Sequence, residues 1–470
     1  MTNRLRMPAV LALALILAGC AVTRPPSQVE APMPPQFYAP LPHGGQLADM
    51  SRWWDQLQDP VLVSLIDAAQ AASPTIAAAA TRIETARATR VAASAALLPN
   101  LDATASANRG FTQPPIPLAT TVQAGLQTQW EIDLFGGNRA TADAAQARLQ
   151  GAQAGWHDAR VSVAAETANN YIALRTCRRL LAVTENDARS RAETSRLNQL
   201  SAEAGFTAPA TAALSRASAA EGSARLTQQR AQCEIDLKTL AALTAVPEPA
   251  LRERLETSWN EPGPAPLFGV TEVPAQVLAQ RPDVFQAERE VAATSADVGA
   301  AQAQRYPRVS LTGSVAAGMV RLGGEWTDAQ TWSLGPLAVT LPLFDAGRRA
   351  ANADASRARY DEAVVAYRAR LRQAVSEVEQ ALVNLDSARR RDEDARTAAE
   401  GYRASFAATE ARFRGGLGSL FELEDARRTL LAAETALVTL QRERAAAWVA
   451  LYRATGGGWR RDEAPAGAAR

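Results

Sequence analysis

The sequence predicts a mainly α protein that lends strands to a shared membrane β-barrel. Three observations carry this expectation. The chain is a tandem duplication, each copy holds two period-two segments with one apolar face, and each copy ends in a long helical hairpin. Composition agrees. Hydrophobic residues fill 47% of the 470 positions but aromatics only 6%, so much of the apolar content is Ala. That suits helices in close approach better than a bulky core. With 50 basic and 49 acidic residues the net charge is +1, which gives no global pull toward nucleic acid. Two histidines, His43 and His157, and three cysteines exclude most His-rich and four-Cys metal sites. Phosphate-loop, dinucleotide, nucleophile-elbow and zincin motifs are missing, so no enzyme chemistry, cofactor or metal is expected.

The elements follow in chain order. Arg4 and Arg6 precede an apolar stretch from Val10 to Ala18, too short to span a bilayer and suited to a signal peptide over residues 1–19. It ends in Leu17-Ala18-Gly19-Cys20, which resembles a bacterial lipobox and marks Cys20 for lipidation. Ala21, rather than Asp, follows the Cys and favours the outer membrane. Residues 20–50 are Pro-rich and form an extended, lipidated leader. No later segment holds about 18 consecutive apolar residues, so any spanning falls to strands.

The first repeat covers 51–243 and the second 275–456, with a Pro-rich linker at 244–274 and a tail at 457–470. An offset of 211 pairs Asp143 with Asp354, Arg148 with Arg359, Glu166 with Glu377 and Gly205 with Gly416. Upstream, Leu98-Pro99 pairs with Tyr306-Pro307 at 208. Strands are expected at about 101–109 and 122–135, and again at about 309–320 and 334–344. In the third, Val309, Leu311, Val315, Ala317 and Met319 alternate with Ser310, Thr312, Ser314, Ala316 and Gly318. Apolar-out and polar-in is the pattern of a membrane barrel with a wet lumen. Alternation alone leaves a two-sided soluble sheet equally open, and the outer-membrane signal favours the barrel. Asp102, Glu131 and Asp133 then face the lumen. Four strands cannot close a barrel, since about eight are needed, so several copies must share one.

Helical hairpins are expected at about 138–243 and 347–455. In the second, Val364, Tyr367, Leu371, Val375, Val378, Leu382 and Leu385 keep heptad-like spacing. Gly205 and Gly416 break the helices. Ser419 with Glu422 forms a capping box, Thr207 can cap the other return helix, and Glu422 and Glu424 suit capping and the helix dipole. Cys177 lies 28 residues before Gly205 and Cys233 lies 28 after it, so an antiparallel hairpin sets them at one height. In an oxidising periplasm this spacing predicts a Cys177–Cys233 disulfide; two buried thiols are the alternative. His157 reads as an ordinary helix residue.

Several motifs, in order, carry a family resemblance. They are Trp53-Trp54 with Asp59-Pro60, Leu278-Ala279-Gln280-Arg281-Pro282-Asp283-Val284, Tyr306-Pro307, and Leu343-Phe344-Asp345. Arg412-Phe413-Arg414-Gly415-Gly416, Asp425-Ala426-Arg427-Arg428 and the ending Leu451 to Trp459 complete the set. With the duplication and the lipobox, the chain resembles the TolC-like outer membrane factors of tripartite efflux systems, in their lipoprotein, NodT-like branch. The resemblance implies a homotrimer with a twelve-stranded barrel and a periplasmic α-barrel. It implies a periplasmic adaptor (membrane fusion) protein and an inner-membrane pump as partners, and outer-membrane lipid through acylated Cys20. It implies a passive exit duct for small molecules, gated at Phe421, Asp425 and Arg428. The turns Gly205-Phe206-Thr207 and Gly416-Leu417-Gly418-Ser419 resemble the surfaces that meet an adaptor. Where the family often has Gln, this chain has Arg427. A protein-export duct and a pore-free structural coiled-coil lipoprotein are the alternatives.

Overall fold

The computed structural model describes residues 22–34, 36–39, 54, 59–110, 118–257, 278 and 281–459. The signal peptide, Cys20, most of the linker and the tail lie outside them. The elements in chain order are α1 (Pro60–Ala72), α2 (Pro74–Ala95), β1 (Asn100–Gly110), β2 (Ala119–Ile132), α3 (Gly137–Glu203) and α4 (Pro209–Thr244). They continue as α5 (Glu248–Thr257), α6 (Pro282–Ala303), β3 (Arg308–Leu322), β4 (Glu325–Thr340), α7 (Arg348–Arg414) and α8 (Leu420–Ala454). The series α2-β1-β2-α3-α4 thus recurs as α6-β3-β4-α7-α8. No single described helix is long and apolar enough to cross a membrane. The chain divides into two compact units.

One unit comprises the leader to Ala31, residues 79–155 and residues 283–370. Its centre is an antiparallel four-stranded sheet in the order β1-β2-β3-β4. The register sorts side chains by chemistry. Leu101, Ala103, Ala105 and Ala107 share one face with Val122, Ala124, Leu126 and Trp130. Val309, Leu311, Val315, Ala317 and Met319 join them, followed by Leu334, Leu337 and Val339 on β4. The other face carries Asp102, Thr104, Ser106, Gln123, Gln127, Gln129, Ser314 and Ser333. From Val309 to Met319 the apolar band runs about 33 Å along the strand, or about 25 Å in height at the tilt usual for membrane barrels. On β4 the band gives way to Gln330 and Asp328 toward the hairpin end.

β4 differs from the expected 334–344. It starts at Glu325 and ends at Thr340. Its first half has no clean alternation, so the period-two signal is silent there. The turn is what extends it: Gly323 and Gly324 both have positive φ, and a two-residue turn pairs Leu322 directly with Glu325. Asp133 departs from its expected lumen position. Its carboxylate accepts the backbone N–H groups of Asn138 and Arg139 at the start of α3. Asp345 does the same at the start of α7 for Gly347 and Arg349. The repeated Leu-Phe motif therefore marks a strand-to-helix corner satisfied by an Asp. Asp102 and Glu131 do lie on the polar face.

The other unit comprises residues 32–78, 156–282 and 371–459. Here α3 returns as α4 and α7 returns as α8. Both turns use a glycine at positive φ, Gly205 at 82° and Gly416 at 74°. Phe206 donates to the Ser201 carbonyl and Leu417 to the Arg412 carbonyl, which satisfies the free carbonyls of each helix end. α3 and α7 each run 67 residues, about 100 Å. Far from the turns, Asp59 caps α1 and accepts from Tyr171 and Arg175. Buried Arg281 donates to the Ala454 carbonyl at the end of α8 and pairs with Glu377. Trp54 meets Tyr452 edge-on with ring centroids 4.7 Å apart. His157 sits between Trp156 and Trp459, and burial with Arg160 nearby pulls its pKa down to about 4.

Cys177 of α3 and Cys233 of α4 are joined by a disulfide across the first hairpin, Cα atoms 5.5 Å apart. The positions matching them in the second hairpin are Ala388 and Arg444, so only the first is stapled. The bridge closes a separation of 56 residues. Loop-closure entropy for such a span is about 4 kcal/mol. Reduction, or joint replacement of Cys177 and Cys233 by Ser, is expected to lower the chemical unfolding midpoint of detergent-extracted protein. An unchanged midpoint would mean that the bridge does not contribute.

Candidate functional site

The site is the tip formed by the two hairpin turns and the first turns of α8. Ser419 caps α8 and accepts from the Glu422 backbone, while the Glu422 side chain accepts from the Ser419 N–H, so the capping box is complete. Thr207 does not cap α4. Ala208 holds the cap position without a side-chain bond, Pro209 follows it, and the Thr207 hydroxyl bonds Ser201 instead. Pro at the first helical position has no N–H to satisfy and a φ already set for the helix, and α4 starts there without a side-chain cap. Phe206 is 87% exposed and Leu417 76%, so each turn presents one bare apolar side chain. Arg412 donates to the Leu417 carbonyl and steadies the second turn.

Phe421, Asp425 and Arg428 lie on one face of α8, at i, i+4 and i+7. Phe421 is 78% exposed. Arg428 donates to Asp425, and both side chains are more than half exposed. Among the described residues no element covers this face, and an ion pair in that setting is worth about 0–1 kcal/mol.

Sequence reasoning missed what lies behind it. Arg427 is 2% exposed. It pairs with Glu424 and donates to the Ser190 and Thr194 hydroxyls of α3. Its guanidinium also lies 5.7 Å from the Phe406 ring centroid. Glu424 accepts in addition from Arg191 of α3 and Ser218 of α4. Arg191 holds Asp187 through Nε and is itself buried. Glu424 is therefore the hinge of a buried network joining α3, α4 and α8, beyond the capping role expected for it. Burial pulls the Arg427 pKa down from its ordinary value, and the Glu424 carboxylate opposes that pull. The Asp187–Arg191 spacing of i, i+4 was visible in the sequence. Their burial was not, because it requires α4 and α8 to cover them.

Four alternating strands with two unpaired edges, joined to 67-residue helices that end in an exposed tip, define a membrane channel completed by copies of the chain. The chain belongs to the outer membrane efflux protein family, which it matches over residues 65–246 and 273–457. It is 28% identical over 464 residues to the toluene efflux pump outer membrane protein TtgI of Pseudomonas putida, covering 95% of this chain and 97% of that one. It is 30% identical over 463 residues to outer membrane protein OprJ of Pseudomonas aeruginosa, covering 96% and 95%. Among solved structures it is similar to the outer-membrane channel OprN, with a TM-score of 0.78 and 27% identity over 93% of this chain and 100% of that one. The fold is that of the trimeric outer-membrane channels, with barrel strands in the membrane and helices in the periplasm. The protein is an outer-membrane efflux channel.

Breaking a buried ion pair by removing one partner costs about 3–5 kcal/mol, whereas replacing both partners by uncharged isosteres can be near neutral. Arg427→Met is therefore expected to raise hydrogen exchange in residues 187–194 and 420–428, and Glu424→Gln combined with Arg427→Met, which leaves the Asp187–Arg191 pair balanced, to restore most of the protection. Equal exchange in all three proteins would show that the network does not hold the tip.

Proposed function

We propose that the chain is the exit duct of a tripartite efflux system, assembled as a homotrimer and held to the outer membrane additionally by lipid on Cys20. An inner-membrane pump supplies the energy and a periplasmic adaptor meets the tip, touching Gly205, Phe206, Thr207, Gly416, Leu417 and Ser419. The duct conducts passively. The relative TtgI is named for toluene efflux, and small, poorly charged molecules are the substrate class proposed for this chain.

The observation that carries the reading is the bare face of Phe421, Asp425 and Arg428, set on a tip whose buried charges pair with one another. Three copies would present it as stacked rings. An apolar ring opposes wetting, and rings of Asp and Arg can pair between chains and close the passage. Cys177–Cys233 stiffens the first hairpin and leaves the second as the one that can shift.

Planar-bilayer conductance of the native particle tests this. The wild type is expected to conduct poorly, and Asp425→Ala or Arg428→Ala to raise the conductance several-fold at unchanged native mass. A particle that never conducts would favour the pore-free lipoprotein reading. The polar face of the sheet carries Asp102 and Glu131. Asp102→Asn with Glu131→Gln should move the reversal potential toward that of a non-selective pore, and no movement would place these carboxylates outside the conduction path.

A further inference from the structure

The apolar face of the sheet is charged at one end only. The register names its members: Leu101 to Arg109 at odd positions on β1, Thr120 to Ile132 at even positions on β2, and Val309 to Arg321 at odd positions on β3. On β4 the register shift at Leu311 and Gly313 carries the face from Leu337 and Val339 to Trp326, Asp328, Gln330, Trp332 and Leu334. The charged residues of this face are Arg109, Arg321 and Asp328, and they stand in the two rows nearest the hairpin turns. Arg308 lies on the polar face at the opposite end of β3. The helices occupy the periplasm, so the hairpin turns and these rows lie at the outer surface of the membrane.

Arg109 and Arg321 hold matching places. Each is the last residue but one of the strand that enters a hairpin. Thr120 lies opposite both of them and Trp326 lies opposite Arg321, so one row reads Arg109, Thr120, Arg321, Trp326. At the usual strand spacing the two arginines are about 10 Å apart across the sheet. Arg109, Arg321 and Trp326 are all exposed. Arg321 donates through Nε to the Gly324 carbonyl of its own turn, at 3.2 Å, which leaves the two terminal guanidinium nitrogens for another partner. Neither arginine has an ion pair among the described residues, although Asp328 stands one row inward, opposite Met319.

An arginine facing lipid is costly at mid-depth and close to free at the interface, which limits where on this face it can stand. At the interface its planar fork matches a phosphate group through two parallel hydrogen bonds, and an aromatic ring beside it sits at headgroup level. We propose that Arg109 and Arg321, with Trp326 beside Arg321, bind the phosphate groups of the lipid in the outer leaflet. The occupant is a lipid because the rows next inward are apolar on three strands: Ala107, Val122 and Met319, then Ala105, Ala124 and Ala317. Those rows take the acyl chains of the molecule whose phosphates the arginines hold. Asp328 and Gln330 interrupt the track on β4, so the chains lie over β1 to β3. The inference rests on the reading of this sheet as a membrane wall and adds the lipid headgroup that the wall selects.

The full chain inserted in phosphatidylethanolamine vesicles tests it, with lipid A added in either its bisphosphorylated or its dephosphorylated form. After extraction into detergent, mass spectrometry gives the lipid A retained per chain. The wild type is expected to keep the phosphorylated form several-fold better than the dephosphorylated one. Arg109→Gln with Arg321→Gln is expected to abolish that preference, and Arg308→Gln to leave it unchanged. Inorganic phosphate in the buffer separates the two sources of the anion. Retention that persists in excess phosphate supports the lipid, and complete displacement would make this a free-anion site and overturn the assignment. Equal retention of both forms by the wild type, or an undiminished preference in the inserted double variant, would overturn the proposal and leave the channel standing. If the double variant does not insert, the single replacements decide: each is expected to weaken the preference, and no change in either would overturn it. A wild-type chain that does not insert would overturn the proposal and the membrane wall together.

Discussion

The constraint on which the rest depends is the backbone hydrogen bonding of two strand edges. Within one chain, β1 and β4 each pair on one side only. In hydrocarbon an unsatisfied N–H or C=O costs several kcal/mol, and each edge offers a row of them. The sheet can enter a membrane only after copies close it. Closure in turn fixes the helices, because each strand pair leads directly into a long helix through a short corner. Asp133 and Asp345 hold those corners, which keeps the directions of strand and helix coupled in both repeats. Ala on the facing helix surfaces then lets neighbours approach without bulky side chains to sort.

Charge at the tip divides into two populations. Arg427 and Arg428 are adjacent in sequence but about 100° apart around the helix. That rotation buries one among α3 hydroxyls and leaves the other in water. The buried set is stoichiometrically neutral, Asp187 and Glu424 against Arg191 and Arg427, and its hydroxyl partners satisfy most of the remaining donors. Such a network contributes little net stability but strongly penalises arrangements that separate its members. The exposed pair, Asp425 with Arg428, has no such hold.

Much of this was legible in the residues. The polar and apolar strand faces follow from alternation, and the turns follow from Gly205 and Gly416, which reach a left-handed conformation at low cost. The Ser419–Glu422 box could be read from four residues. Other points were not legible. β4 begins at Glu325 because a Gly-Gly turn pairs it with β3, although its first half lacks periodicity. Thr207 looked like a cap, but the helix starts one residue later, with Ala208 at the cap position, and the Thr207 hydroxyl bonds Ser201. Glu424 looked like a first-turn acid and instead joins three helices.

What the sequence determined by itself is therefore the duplication, the facing of the strands, the extent of the long helices and the residues at their turns. These rest on periodicity and on conformational preferences that act over a few residues. Only the tertiary structure decided which charges are buried, which Asp caps a helix rather than facing the polar side of the sheet, and which helix faces remain bare. Those outcomes depend on surfaces brought together from α3, α4 and α8, more than two hundred residues apart from first to last. Burial of a charge is a property of that whole enclosure, and no local pattern encodes it.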